Sequence, residues 1–502
     1  MELNNNKKFN SKNSSATIIE QLKLSLKECI LSSTTHGISN IYRSKSRLIQ
    51  TMWLIMVMLS SGVCVYFIKI SLSDYFSYSV TTETRIVNEH QSPFPVVTIC
   101  NKNKFTSDES VDYLKYLIKE KNLIDFFNET RFLRNKSIST EEKYNKLNEF
   151  IRIARSNLLK DGMDMEKYSQ SIDKILISCY YAGLKCNSSD FNVIYNSYNG
   201  ICFQFNSGRQ KEIRKMTKLG KYNGLTIELY TGISDELNKL ALNKGLIVSI
   251  SNQTDYPFDY LPNSVDIEPG LESNILVERF VYNQLPDPYS ICNLDLSDMN
   301  NINGFDSEFY RILLRTNYSY SRESCLDICF QKFLNESCNC TDHTVSFRLP
   351  NTKICHERFQ FDCTSNFYFE KFILNDFIDR NCLKHCPMEC TKMKFNNYLS
   401  YSTYPNNFYV ESIRNEERLF NQFSLNHTND FLTNLNENIV KLNVFYDSLS
   451  LVSLKESPTV TEIDLLSSIG GTLGLFLGMS ILSFTEFVEL FLLYLLIYLK
   501  KN

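Results

Sequence analysis

The sequence predicts an α+β membrane protein in which two transmembrane helices flank one large, disulfide-rich extracellular domain. Three observations carry this reading. An uncharged apolar stretch, Leu48 to Ile68, is matched near the other end of the 502-residue chain by a second one beginning at Leu465. Fourteen of the sixteen cysteines lie between Cys100 and Cys390. Charge is unevenly spread: residues 1–48 hold eight Lys/Arg against three Asp/Glu, Lys500 and Lys501 close the chain, and residues 49–499 hold 43 basic against 53 acidic side chains. A basic start and finish around an acidic middle is the pattern left by a membrane between them. The formal net charge of −3 argues against a nucleic-acid partner, and the membrane and cysteine patterns exclude a soluble cytosolic enzyme.

Taken in order, residues 1–47 read as a cytosolic N-terminus and 48–70 as the first transmembrane helix. At about 1.5 Å per residue, the uncharged run spans roughly 30 Å, one hydrocarbon core. A polar lead of this length argues against a signal peptide. Arg43, Lys45 and Arg47 before the span, against Lys69 after it, put the N-terminus inside. Residues 71–461 form the extracellular domain. Within it, Val111, Leu114, Leu117 and Ile118 mark a helix in the charged stretch 108–160, and strand-like alternation occurs at Phe94–Ile99, Gly200–Phe205, Gly224–Tyr230 and Leu442–Leu451. Glycosylation acceptors stand at Asn128, Asn135, Asn187, Asn252, Asn317, Asn335, Asn339 and Asn426.

The densest cysteines are Cys325, Cys329, Cys338, Cys340, Cys355, Cys363, Cys382, Cys386 and Cys390, with His343, His356 and His385 nearby. Zinc is one reading of that cluster, but outside the cell thiols oxidise, so a disulfide framework without metal is expected. Cysteines four apart share a helix face. Two such helices packed antiparallel would set Cys325 opposite Cys386 and Cys329 opposite Cys382, a pairing that spacing alone does not establish.

Residues 462–499 are the second transmembrane segment, and 500–502 a cytosolic tail. The segment is uncharged from Leu465 to Thr485, is interrupted by Glu486 and Glu489, and continues apolar to Leu499. As one straight helix it would reach about 50 Å, so it must tilt, project or break. Gly470, Gly471, Gly474 and Gly478 serve either close helix packing or such a break. Polar groups in lipid must face protein or water. Two spans cannot enclose a pore, so a pore would require an oligomer.

Five motifs then follow one another: Thr35-His36-Gly37-Ile38; Phe94-Pro95-Val96-Val97-Thr98-Ile99-Cys100-Asn101; Gly200-Ile201-Cys202-Phe203-Gln204-Phe205-Asn206; Tyr320-Ser321 before the Cys325 group; and Leu465-Leu466-Ser467-Ser468-Ile469-Gly470-Gly471 leading to Gly474-Leu475-Phe476-Leu477-Gly478-Met479-Ser480. In these the chain resembles the degenerin/epithelial sodium channel superfamily over nearly its whole length. The resemblance implies a trimeric channel with a finger, thumb, palm, knuckle and β-ball ectodomain. It also implies seven disulfides: Cys100–Cys202, Cys179–Cys186, Cys292–Cys390, Cys325–Cys386, Cys329–Cys382, Cys338–Cys363 and Cys340–Cys355. His36 and Gly37 correspond to a gating motif, and Gly478, Met479 and Ser480 to the selectivity filter. Ser467, Ser468, Gly471, Leu475 and Glu486 fall in the pore or gate. Ser467 is where bulky side chains hold family channels open, near where amiloride blocks. Tyr78 corresponds to an aromatic at the base of the ectodomain, with Tyr289 as its loop partner.

The sequence departs from the acid-sensing members at Ser468, where an Asp is usual, at Tyr289, where Trp is usual, and at Ser79 and Val80, which follow Tyr78 without the adjacent His pair. With three residues after Leu499, the ligase-recruiting tail of the epithelial branch is expected to be absent. What the resemblance implies is a sodium-selective, amiloride-sensitive, ligand-gated channel subunit in the plasma membrane with both termini cytosolic. It would form homo- or heterotrimers with homologous subunits, contact lipid, bind no nucleic acid and need no cofactor, Na⁺ being the permeant ion and Ca²⁺ a second candidate. An extracellular RFamide-type neuropeptide is the expected stimulus. Proton gating, constitutive opening and an ATP-gated two-span channel are the alternatives, and no nucleophile–base set points to an enzyme.

Overall fold

The structure, a computed structural model, describes residues 27, 31, 37–120, 140–209, 211–232, 237, 244–257, 263–293, 308–314, 318–345, 347, 349–373, 376–414, 437–480, 483, 485–486, 488–489 and 491–492. The principal elements, in chain order, are α1 (Ile38–Arg43), α2 (Arg47–Phe76), β1 (Val80–Asn88), β2 (Val96–Asn101), α3 (Asp108–Glu120), α4 (Thr140–Lys160), β3 (Leu176–Tyr181), β4 (Phe191–Asn196), β5 (Gly200–Phe205), β6 (Leu225–Tyr230), β7 (Leu246–Ser251), β8 (Ser264–Ile267), β9 (Leu271–Asn283), α5 (Arg322–Cys338), α6 (Arg358–Asn366), α7 (Phe377–Asn381), β10 (Thr391–Thr403), β11 (Ile439–Pro458) and α8 (Glu462–Leu477). The chain divides into two compact units, Met1–Thr82 with Glu456–Asn502, and Glu83–Lys455.

In the first unit, α2 is the one helix among the described residues long and apolar enough to cross a membrane. Its 30 residues reach about 45 Å at the helical rise. It outruns the expected 48–70 segment because no Gly or Pro occurs from Val63 to Phe76, and Lys69 and Asp74 are exposed. Met56, Leu59, Val65 and Tyr66 also point outward, and Cys64 is its one buried residue. The second apolar segment does not run straight. Helix α8 stops at Leu477, and the described residues Ser483, Thr485, Glu486, Val488, Glu489, Phe491 and Leu492 are helical again. Where the chain leaves α2 and enters α8, Thr81 and Ser457 hydroxyls lie 3.1 Å apart, and the Thr459 N–H donates to the Ser79 carbonyl at 3.0 Å.

The second unit is built on two sheets. The larger runs β10–β9–β11–β6–β3, with β1 paired to β11. Strands β9 and β11 are parallel and their other neighbours antiparallel. The smaller runs β8–β7–β2–β5–β4. Every residue of β5 is buried, as expected of a central strand covered on both faces. Helices α3 and α4 lie beside the sheets. Phe150, Ala154 and Leu158, at i, i+4 and i+8, form the buried stripe of α4, and Ser110, Leu114 and Leu117 that of α3. The Tyr113 hydroxyl donates to the Ala154 carbonyl at 2.7 Å.

Seven disulfides pin this unit: Cys100–Cys202, Cys179–Cys186, Cys292–Cys390, Cys325–Cys386, Cys329–Cys382, Cys338–Cys363 and Cys340–Cys355. The two rungs from α5 connect as helix spacing allows, but the far side is not a second long helix. It is the short α7 followed by a single tight turn, Leu383–His385. Pro387 accounts for this, since the residue before proline is driven from the helical region and Cys386 sits at φ −128°, ψ 72°.

One buried ion pair ties β9 to the segment before β2. Arg279, 2% exposed, donates to Glu89 at 2.5 Å and to the Ser92 hydroxyl at 3.0 Å. Its guanidinium lies 5.1 Å from the Tyr446 ring centre. Burial pushes the Glu89 carboxyl up, but the hydrogen bonds from Arg279 and Ser92 outweigh it and hold the group below its ordinary value. A depressed carboxylate contributes stability above its unfolded pKa, about 4.3, and loses it as pH falls through the lower folded value. Replacing Arg279 by Met should therefore cost about 3 kcal/mol, leaving Glu89 with the Ser92 hydroxyl and no counter-ion. Thermal unfolding of the detergent-solubilised chain should show this loss at neutral pH and a smaller difference below pH about 4; equal melting curves at both would contradict it.

Candidate functional site

The first candidate site is the point where α8 breaks. The helix begins with a capping box, in which the Thr461 hydroxyl accepts from the Asp464 N–H at 3.2 Å and the Asp464 carboxylate accepts from the Thr461 N–H at 3.0 Å. It ends at Gly478, whose φ of +69° turns the chain out of the helix. A side chain there would cost about 1 kcal/mol or more. The Gly478 N–H still reaches the Gly474 carbonyl at 3.0 Å, and the Met479 N–H reaches back to Leu473 at 3.3 Å. This closure satisfies carbonyls of the last turn. The Ser480 N–H turns forward to the Ser483 hydroxyl at 3.0 Å. Met479 and Ser480 are therefore held in non-helical backbone between two helical segments.

Helix α8 has two unlike faces. Ser467, Gly471, Gly474, Leu475 and Gly478 recur at helical spacing, and all but Gly478 are exposed. A Cβ added at Gly470 or Gly471 would meet nothing within 4 Å. The other face packs on α2. Ser60 Oγ donates to the Phe476 carbonyl at 2.5 Å, Cys64 Sγ lies 4.0 Å from the Thr472 carbonyl, and the Ser71 and Ser468 hydroxyls are 2.9 Å apart. The Phe67 and Phe476 rings stack at 5.8 Å. Sequence reasoning placed Ser467, Ser468, Gly471 and Leu475 together as pore residues. The structure separates Ser468, which bonds to α2, from the three on the open face. Glu486 is half-buried on the helical segment past the break. The α2 contacts were not foreseen. Their signal is the set Ser60, Cys64, Phe67 and Ser71, at i, i+4, i+7 and i+11 in an apolar helix.

His36 lies outside the described residues. Gly37 precedes α1 with φ +91°, and its carbonyl accepts from the Ile41 N–H at 3.1 Å. A Cβ there would stand 2.5 Å from Val57 Cγ2 and 3.6 Å from Trp53, so glycine is required by both conformation and close approach to α2. Tyr78 follows α2 at φ +49°, with Tyr75 and Phe76 rings at 6.4 and 6.3 Å. Tyr289 belongs to the second unit, in a turn where its N–H donates to the Pro286 carbonyl at 3.0 Å. Of the acceptor asparagines, Asn187 and Asn339 are exposed, Asn252 and Asn335 half-buried, and Asn128, Asn135, Asn317 and Asn426 outside the described residues.

A second candidate site is a cavity of about 800 Å³ in the second unit, lined among others by Asp255, Tyr256, Glu323, Glu389, Lys392 and Phe395. Lys392 bridges Glu389 at 3.1 Å and Glu323 at 3.3 Å. Burial pushes the Asp255 carboxyl up, and nearby Glu389 adds to it, against the opposing pull of the Asn252 N–H and Lys392. The volume and the mix of apolar wall with a few charged groups are those of a small-ligand site. It draws on segments far apart in the chain, which is why no sequence motif announced it.

Residues 30–490 match the family model described as amiloride-sensitive sodium channel. The chain is similar to the epithelial sodium channel subunit gamma of Xenopus laevis, 24% identical with 92% of this chain and 79% of that one covered. It is likewise similar to acid-sensing ion channel 1 of Gallus gallus, at 26% over 91% and 82%. The bile acid-sensitive ion channel of Homo sapiens matches at 24% over 91% and 84%.

Two glycine substitutions should act in opposite directions. Gly37→Ala forces a strained φ and a clash with Val57 and should destabilise the packing of α1 on α2 by about 1–2 kcal/mol. Gly62→Ala, where an added Cβ meets nothing, should stabilise α2 by up to about 1 kcal/mol. Thermal denaturation of the full chain in detergent reads both signs, and a Gly37→Ala protein as stable as wild type would show that the close approach is not tight.

Proposed function

The chain belongs to the amiloride-sensitive sodium channel family, and on that footing we propose that it is one subunit of a trimeric, sodium-selective, amiloride-sensitive channel of the plasma membrane, opened by an extracellular ligand. Family members are ion channels and not enzymes. The observation that carries the proposal is the interruption of α8 at Gly478, with an open, small-residue face leading to it. In hydrocarbon, non-helical backbone persists only where it is buried in protein or lines water. Carbonyls of Gly478, Met479 and Ser480 would then coordinate a partly dehydrated cation. Homologous subunits would cover the open face and complete the lumen, and the acidic stretch between the two spans would concentrate cations. The second crossing, the cytosolic placement of both termini and the Tyr78–Tyr289 contact that would couple ectodomain to pore belong to the same proposal.

For the stimulus, an RFamide-type peptide fits the ectodomain cavity: a cationic guanidinium would meet Asp255 and Glu389, and an aromatic side chain Tyr256 and Phe395. The second reading, proton gating, has one observation of its own, the raised Asp255 carboxyl beside Glu389. The two readings separate by pH. Asp255 attracts a cationic ligand only when ionised, so acidification through its raised pKa should weaken peptide sensitivity; in the proton reading it should open the channel.

Currents recorded from cells expressing the chain, alone and with homologous subunits, test this. Peptide should evoke sodium current, and Asp255→Asn with Glu389→Gln should reduce peptide sensitivity about tenfold or more. Current on acidification alone, with no peptide response in any subunit combination, would assign the chain to the proton-gated class. Ser480→Leu should alter the Na⁺/K⁺ permeability ratio or abolish current at unchanged surface density; a conducting variant with an unchanged ratio would remove Ser480 from the filter.

A further inference from the structure

We infer that Ser60 on α2 is a positioning residue for the selectivity filter, acting through the Phe476 carbonyl. In an unbroken helix that carbonyl would accept the N–H of residue 480, four positions on. Here the Ser480 N–H is turned to the Ser483 hydroxyl at 3.0 Å. The break therefore removes the carbonyl's helical donor in the residue pair that flanks Gly478. Ser60 Oγ supplies the replacement at 2.5 Å, from a different helix. A backbone carbonyl without a donor in low dielectric is costly, so this hydroxyl stabilises the broken form of α8 over the continuous one.

The neighbouring serine shows that this is not what a membrane-helix hydroxyl does by default. Ser61 Oγ donates to the Val57 carbonyl of its own helix at 2.7 Å, the usual back-bond to the preceding turn. Ser60 crosses to α8 instead. The contact is also not isolated. The Phe67 ring stacks on Phe476 at 5.8 Å, and the Cys64–Thr472 and Ser71–Ser468 approaches fix the antiparallel register. With that register set, the α8 carbonyl that the Ser60 hydroxyl meets is the one two residues before the turn. Losing the bond would free the backbone just before Gly478, and with it the aim of the carbonyls that follow.

The inference rests on the filter reading above, and the test keeps the two apart. Ser60→Ala, Ser60→Val, Ser60→Thr and Ser61→Ala are compared with Ser480→Leu by reversal potentials in Na⁺ and K⁺ solutions. Ala and Val at 60 should lower the Na⁺/K⁺ permeability ratio about threefold, the measure of one intramembrane hydrogen bond. Thr at 60, which keeps the hydroxyl, should retain the wild-type ratio, and so should Ser61→Ala. Unchanged ratios for both Ser60→Ala and Ser60→Val, with a changed or lost current in Ser480→Leu, would overturn the role of Ser60 alone. Unchanged ratios in all variants would overturn the filter reading itself. Should the Ser60 variants reach the surface without conducting, thiol labelling of Met479→Cys gives the second measurement. Labelling should be faster with Ala than with Ser or Thr at 60, after subtracting a chain without that cysteine, and an equal rate would overturn the inference.

Discussion

A backbone that leaves its helix must find new partners for each N–H and C=O group it frees, and the first unit is arranged round that requirement. Gly478 makes the turn conformationally accessible. Leu473 and Gly474 take up the first two N–H groups past the helix, Ser483 takes the next, and Ser60 answers one of the freed carbonyls, that of Phe476. These partners come from three stretches of chain, so the break cannot be moved by one residue without undoing all of them. This is how a flexible-looking Gly-Met-Ser tripeptide becomes a fixed feature. The same requirement accounts for Ser60 and Ser71, which stand on the α2 face that packs on α8.

The second unit meets a different demand. Its core lies between two sheets and the α3–α4 pair, while α5 to α7 form a separate cluster about Cys325, Ile328, Cys329, Leu334 and Phe372. The region from α5 to α7 carries four of the seven disulfides, three from α5 and one, Cys340–Cys355, from the turn after it. Cross-links of this density limit what a stimulus can do. A ligand in the cavity beside α5 cannot unfold or extend that region, and its differential binding energy must appear as displacement of preformed pieces. The cavity is bounded by residues from α5, the turn after β7 and strand β10, so filling it bears on elements of both clusters.

How much of this could be read from the sequence follows from where each signal resides. Helix α2 was legible because one continuous composition defines it, although its end at Phe76 was not, since helix propensity carries on past the charge that marks the membrane limit. Strand β5 lies where alternation puts it, β6 starts one residue later than read, and β2 runs two residues further along than Phe94–Ile99. A spacing of four allows the α5 rungs without establishing them, and the resemblance implies the pairing that the structure then holds, Cys325–Cys386 and Cys329–Cys382. Their partner side is less regular than a second long helix because Pro387 keeps Cys386 out of the helical region. Gly478 was legible only through a motif, for nothing in its neighbours distinguishes it from Gly470, Gly471 or Gly474. The separation of Ser468 from Ser467, the role of Ser60 and the cavity were not legible. Each depends on which residue of a distant segment faces it, and a single sequence carries that information only as the stripe Ser60–Cys64–Phe67–Ser71.

That stripe also gives a physical reason for the most visible departure from the acid-sensing pattern. Position 468 faces Ser71 at 2.9 Å, in a seam between two helices of low polarity. A serine pair satisfies both hydroxyls there without charge. The negative charge is present one helical turn earlier instead, at Asp464, with Glu462 beside it, both exposed at the start of α8. At that end of the helix the free N–H groups favour carboxylates, and Asp464 is held there by the capping box with Thr461. In the proposed pore the chain therefore keeps its cation-attracting charge but moves it outward, to a place where the same side chain that draws in sodium also starts the helix leading to the filter. Selectivity is then left to the uncharged backbone at Gly478–Ser480, and the acids govern how many cations arrive rather than which ones pass.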